Sequence, residues 1–202
     1  MKIQRTLCSA VVLAASLAAA SAEAAFVLDT GIPDNSKLPL LLDGNDFAAA
    51  EFALTAGQTL TSIEGFIKGG SGSNAGDTFT IAIYAADGSA GLPGTVVTSL
   101  QGSYQADGWN GLNNLNISGF STGNYWVAFE VGGGDTATDL QLPIVATNGS
   151  VPAAAYAFNA GGGYHPMSGE NFGVQIAAVP LPAAAWLFAS ALGGFSVVRR
   201  RT

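Results

Sequence analysis

In the stretch DTFTIAIYAA, Phe79, Ile81, Ile83 and Ala85 occupy alternate positions, with Thr80, Ala82 and Tyr84 between them. GNYWVAFEV repeats the pattern, with Tyr125, Val127, Phe129 and Val131 on one side and Trp126, Ala128 and Glu130 on the other. A period of two rich in β-branched and aromatic residues predicts half-buried strands. Further strands are expected over 47–54, 59–68, 95–100, 112–117, 140–146, 154–158 and 172–178. Glycine, asparagine and aspartate punctuate them, as in GGSGSNAGD, ADGSAGLPG and GGGD, and no sustained 3.6-residue pattern with caps interrupts the region. The expected fold is therefore all-β, an antiparallel, jelly-roll-like β-sandwich.

The two ends follow different rules. Lys2 and Arg5 precede an apolar run from Leu7 to Ala20, which ends in small residues around Ala22 and Ala24. That order is the three-part form of a secretory signal peptide, with A-x-A cleavage after Ala24. At the other end, residues 183–198 are uncharged and precede Arg199, Arg200 and Arg201. As a helix this run would span about 24 Å, short of a bilayer core of about 30 Å. It suits a temporary anchor, and the positive-inside bias keeps the three arginines cytoplasmic and everything before Pro182 on the far side. Three segments follow: a signal helix over 1–24, an ectodomain over 25–178, and a C-terminal segment over 179–202 with a short transmembrane helix.

VPLPAAAWLFASALGGFSVVRRR, residues 179–201, resembles the C-terminal sorting signal of PEP-CTERM proteins, in the variant with Val-Pro-Leu-Pro-Ala in place of Pro-Glu-Pro. The resemblance implies that Val179, Pro180, Leu181, Pro182 and Ala183 form a recognition motif and that Arg199, Arg200 and Arg201 act as a stop signal. It also implies an exosortase partner, a membrane-embedded, cysteine protease-like transpeptidase that removes the helix and its basic tail, together with the secretion machinery. Pro180 and Pro182 have a physical role in such a motif: they lack backbone donors and disfavour helix in the residues before them, which keeps the segment extended. The order of patterns in the ectodomain is similar to domains often joined to these signals, which resemble bacterial carbohydrate-binding sandwiches in architecture. The resemblance thus implies export through the inner membrane and transient anchoring. The final location is then the cell surface or the extracellular space, in association with exopolysaccharide or biofilm.

Composition narrows the chemistry. Only 10 % of the 202 residues are charged. Between residues 25 and 178, two lysines face thirteen carboxylates, a net charge of −11. That surface repels phosphate backbones and excludes nucleic acid as a partner, while favouring solubility or cation attraction. The one cysteine, Cys8, lies in the segment expected to be removed. RTL before it lacks the pattern of a lipid-attachment site, so the mature protein has no disulfide and no thiol nucleophile.

No catalytic set is evident. His165 is the single histidine and lies in the glycine-rich GGGYHPMSGE, where it reads as a solvent-facing loop residue; its isolation also argues against zinc. No cofactor or metal site is assigned, and the expectation is a non-enzymatic protein. The alternative is a secreted glycoside hydrolase built on a carboxylate pair drawn from Glu51, Glu64, Glu130 and Glu170. DGND, Asp43 to Asp46, with Asp29 and Asp34 nearby, is either a calcium loop or a turn in which the side chains bond their own backbone. Trp126 reads as core. Trp109, in DGWNG beside Asn110, Asn113 and Asn114, is either core or a flat contact for a sugar ring.

Overall fold

Thirteen strands appear in a computed structural model, which describes residues 23–34, 37–44 and 46–180. They are β1 (Ala25–Pro33), β2 (Leu40–Leu42), β3 (Asp46–Leu54), β4 (Thr59–Gly69), β5 (Thr78–Ala85), β6 (Val96–Ser103) and β7 (Gly108–Ile117), followed by β8 (Gly123–Glu130), β9 (Leu140–Leu142), β10 (Ala146–Val151), β11 (Tyr156–Ala160), β12 (Tyr164–Met167) and β13 (Val174–Val179). The fold is all-β, with one 3-10 turn at Ser89–Gly91 and no α-helix among the described residues. The expected signal helix and the C-terminal run 183–198 lie outside the described residues, apart from Glu23 and Ala24.

The strands form two sheets. One has seven strands in the order β10-β1-β13-β4-β9-β2, with β7 also paired to β4; the other has six, in the order β12-β11-β3-β8-β5-β6. The pairings are antiparallel: Ala48 to Leu54 run opposite Phe129 to Gly123, and Leu60 to Ile67 opposite Ile117 to Gly108.

One apolar core lies between the sheets. Leu28, Leu60, Ile63, Ile67, Val174 and Ile176 come from the first sheet, and Phe52, Phe79, Ile81, Ile83, Val127 and Phe129 from the second. The alternation read in β5 holds, since Phe79, Ile81 and Ile83 are buried in this core. In β8 it is masked: Tyr125 to Phe129 are all buried because the outward face is covered too. There Ala49, Ala82, Trp126, Ala128 and Ala157 form a second cluster, with Tyr84, Leu92 and Tyr164 packed over it. Trp126 is therefore interior, as expected, but on the side of the sheet away from the main core.

Other expectations need correction. The strand expected over 140–146 stops at Leu142 as β9, before Pro143 and Val145 at φ 67°, and β10, which only begins at Ala146, is a further strand that was not expected. β1, β2 and β12 were not expected. His165 is not in a loop; it is an exposed residue of β12, opposite Phe158.

Candidate functional site

Trp109 is the second residue of β7 and stands opposite Phe66 on β4. Ile63 and Ile67 point into the core. The alternation of β4 therefore turns Phe66 and its neighbours Glu64 and Lys68 to the outer face of the seven-stranded sheet. The rings of Phe66 and Trp109 meet edge to face, with centroids 5.5 Å apart at 88°, an arrangement favoured by the ring quadrupoles. Room for Phe66 comes from Gly173 on the neighbouring segment: a Cβ there would lie 2.6 Å from the Phe66 Cβ. Trp109 is half-buried, part core and part surface.

The loop that presents Trp109 is braced from below. Asn110 is 4 % exposed. Its Oδ1 accepts the Gln105 N–H at 2.8 Å, and its Nδ2 donates to the carbonyls of Ala106 and Gly108 at 2.8 and 2.9 Å. Asp107 Oδ1 accepts the Gly69 N–H at 3.0 Å and the Tyr104 hydroxyl at 2.8 Å. The Gly69 N–H, then the Tyr104 hydroxyl and the Lys68 charge, hold the Asp107 carboxyl below the usual carboxylate value. Asn110 is thus a structural residue with its amide fully engaged, not a polar contact beside the indole. Asn113 Nδ2 donates to Glu64 Oε1 at 3.3 Å on the same outer face, and Asn114 is exposed at φ 59°. Glu64 and Lys68 therefore flank Phe66 on this face, with Asn113 hydrogen-bonded to Glu64.

The outer face of the six-stranded sheet is closed. Trp126 Nε1 donates to the Gly91 carbonyl at 2.9 Å. Glu130 Oε1 accepts the hydroxyls of Tyr84 at 2.6 Å and Tyr164 at 2.9 Å, and the two phenol rings pack edge to face at 5.6 Å. Burial, reinforced by the Glu130 carboxylate, pushes both phenols above the ordinary tyrosine value.

Each of the four glutamates has partners of its own. Glu51 accepts from Asn124, Glu64 from Asn113, Glu130 from the two tyrosines, and Glu170 lies 3.6 Å from Lys37. Glu51 pairs with Trp126, four residues along β8 from Glu130. That is about 13 Å along a strand, against the roughly 5 to 10 Å of a working carboxylate pair. Glu64 belongs to the other sheet.

The aspartates do not converge on a cation either. Asp43 Oδ1 accepts the Asp46 N–H at 3.1 Å, the self-bonded turn. Asp29 is buried, and its carboxylate accepts the Ser150 N–H and hydroxyl, Gln175 Nε2 and the Gly31 N–H. Burial raises its pKa, and these four hydrogen bonds outweigh burial and bring it below the usual value. Among the described residues no three His, Cys, Asp or Glu side chains are grouped to hold a metal ion.

The expected processing sites straddle the ends of the sheet. Ala25 pairs with Ala178, and Phe26 with Ala177. Ala24 and Pro180 are exposed just outside that pairing, and Val179 is the last residue of β13. Ala22, Leu181, Pro182, Ala183 and Arg199 to Arg201 lie outside the described residues. Among the described residues no helix is long and apolar enough to cross a membrane. No family model and no curated protein matches the chain.

Proposed function

We propose that the chain is an exported, non-enzymatic protein of the cell surface or extracellular matrix. Signal peptidase removes residues 1–24, and an exosortase cuts at Val179 to Ala183 after the run 183–198 has held the protein transiently at the membrane with Arg199 to Arg201 inside. The working part is residues 25–178, a jelly-roll-like β-sandwich. The pairing of Ala25 with Ala178 carries this reading. Removing everything outside that pair leaves β1 whole and takes from β13 only Val179, which belongs to both strand and motif.

Within the matrix, the edge-to-face pair of Trp109 and Phe66 is the surface on which an extracellular polysaccharide stacks. One half-buried ring contributes roughly 1 to 3 kcal/mol, so binding is weak and its strength comes from repetition along a polymer. The test uses the processed protein from its host on a polysaccharide panel, with and without calcium. Binding that disappears in Trp109→Ala supports the reading. Binding that survives in that variant removes Trp109 as the platform, and sugar release abolished by changing one of the four glutamates to glutamine overturns the non-enzymatic assignment.

A further inference from the structure

Strand direction sorts the connections into two ends. In the seven-stranded sheet Ala25 pairs with Ala178 and Leu60 with Ile117; in the six-stranded sheet Leu54 pairs with Gly123 and Tyr84 with Val96. The connections 55–58, 86–95 and 118–122 therefore share one end with the start of β1 and the end of β13. The Ala56 N–H donates to Thr122 Oγ1 at 2.9 Å and ties two of them together. All other connections except 152–155 lie at or toward the opposite end.

Charge follows the same division. Of the thirteen carboxylates between residues 25 and 178, nine lie in the connections of the opposite end or on the strand ends beside them. Asp29, Glu51 and Glu64 are in mid-strand. Both lysines are also at the opposite end. The end where the chain enters and leaves holds Asp87 alone, whose carboxylate takes the Thr95 N–H and hydroxyl at 2.6 and 2.7 Å; Glu23 precedes the expected cleavage bond. That end also exposes Phe26 (45 %), Val96 (52 %) and Val97 (46 %). Ile32, Leu38 and Leu41 are exposed among the acids of the other end, so apolar exposure does not distinguish the ends and charge does.

We infer that the acid-poor end, with Phe26, Val96 and Val97, rests on the phospholipid surface while the chain is anchored, and that the acid-rich end faces away. This rests on the reading of residues 183–198 as the anchor. Three residues separate Val179, which ends β13, from Ala183, which opens the apolar run; the four steps between them reach at most about 14 Å. The domain cannot stand far from the headgroups. The end that carries Asp87 alone meets little repulsion there from anionic lipid, whereas the nine carboxylates at or beside the opposite end stand about 30 Å off, several screening lengths of about 8 Å away.

The test uses the full chain with Cys8→Ser, reconstituted in phosphatidylcholine vesicles containing a minority of phosphatidylglycerol. Single cysteines replace exposed residues at the acid-poor end, Ala56→Cys or Ser118→Cys, and at the acid-rich end, Thr138→Cys. Each carries a fluorophore, and a nitroxide on the lipid headgroup is the quencher. Quenching several-fold stronger at positions 56 and 118 than at 138, in chains that float with the vesicles, is the expected result. Chains that float but are quenched equally at all three positions, or most at 138, overturn this orientation and leave the anchor reading standing. Chains that do not float with the vesicles defeat both.

Discussion

The Cβ that Gly65 lacks would lie 2.7 Å from a ring carbon of Phe129 on the facing sheet. The two sheets approach so closely at this point that β4 carries no side chain there. Gly65→Ala should overpack the core and destabilise the protein by about 1 to 3 kcal/mol, with the melting temperature falling roughly 2 to 4 °C per kcal/mol. Combined with Phe129→Leu, its added cost should shrink, because the two residues share one space. Thermal melts of the single and double variants check this, and additive losses would mean that the sheets do not meet here.

Asn110 and Trp109 are neighbours in sequence with opposite duties. Asn110→Ala removes three hydrogen bonds from a buried amide and should cost about 1 to 3 kcal/mol without removing the ring. Trp109→Ala loses an edge contact worth about 0.5 to 1.5 kcal/mol and should abolish polysaccharide binding. Melting temperature and binding measured side by side on the two variants separate the roles. If Trp109→Ala unfolds the protein, Trp109 is core.

Glu130 joins Tyr84 and Tyr164 over the outer face of the six-stranded sheet. Both phenols are raised, so the folded state holds their protons more tightly than the unfolded chain. The associated stability is fully present below the ordinary tyrosine value of about 10 and is lost as pH rises beyond it. Tyr164→Phe should cost about 1.5 to 3 kcal/mol, the range for a hydrogen bond to a charged group. Alkaline melts of the variant should show a shallower decline above that pH than the parent; equal slopes would exclude Tyr164 as a source of the alkaline loss.

Asp29 gives the opposite pH dependence. Its folded value is depressed, so its contribution is present above the ordinary carboxylate value of about 3.9 and disappears as pH falls through the folded one. Asp29→Asn should destabilise by about 1 to 3 kcal/mol at neutral pH, and the difference from the parent should close in acid. Denaturant titrations at several pH values measure it, and a gap independent of pH would show that the charge of Asp29 plays no part.

The strands legible in the sequence were those whose alternation reports burial directly, above all β5. β1 was not legible, because Asp-Thr-Gly and Pro33 resemble a turn. Its polar residues are satisfied only by distant partners: Thr30 Oγ1 donates to the Phe172 carbonyl and accepts the Val174 N–H, and Asp29 accepts from Ser150 and Gln175. β12 hid behind Pro166, tolerated because β12 is an edge strand. At the candidate site the sequence left Trp109 open between core and surface, and the ring is part of each; Asn110 was not legible as its brace, since sequence does not say which way an amide turns. The clustering of Tyr84 and Tyr164 on Glu130 was equally hidden: the three residues lie on three strands, β5, β12 and β8, and meet only once β11 and β12 have joined the β3 edge of the sheet.

Export followed by removal of both ends can be read from the intact mass of the protein isolated from its native host. The expected chain begins at Ala25 and ends within Val179 to Ala183, without the Trp186 run or the three arginines. A mass corresponding to a chain that still ends at Thr202 would contradict it.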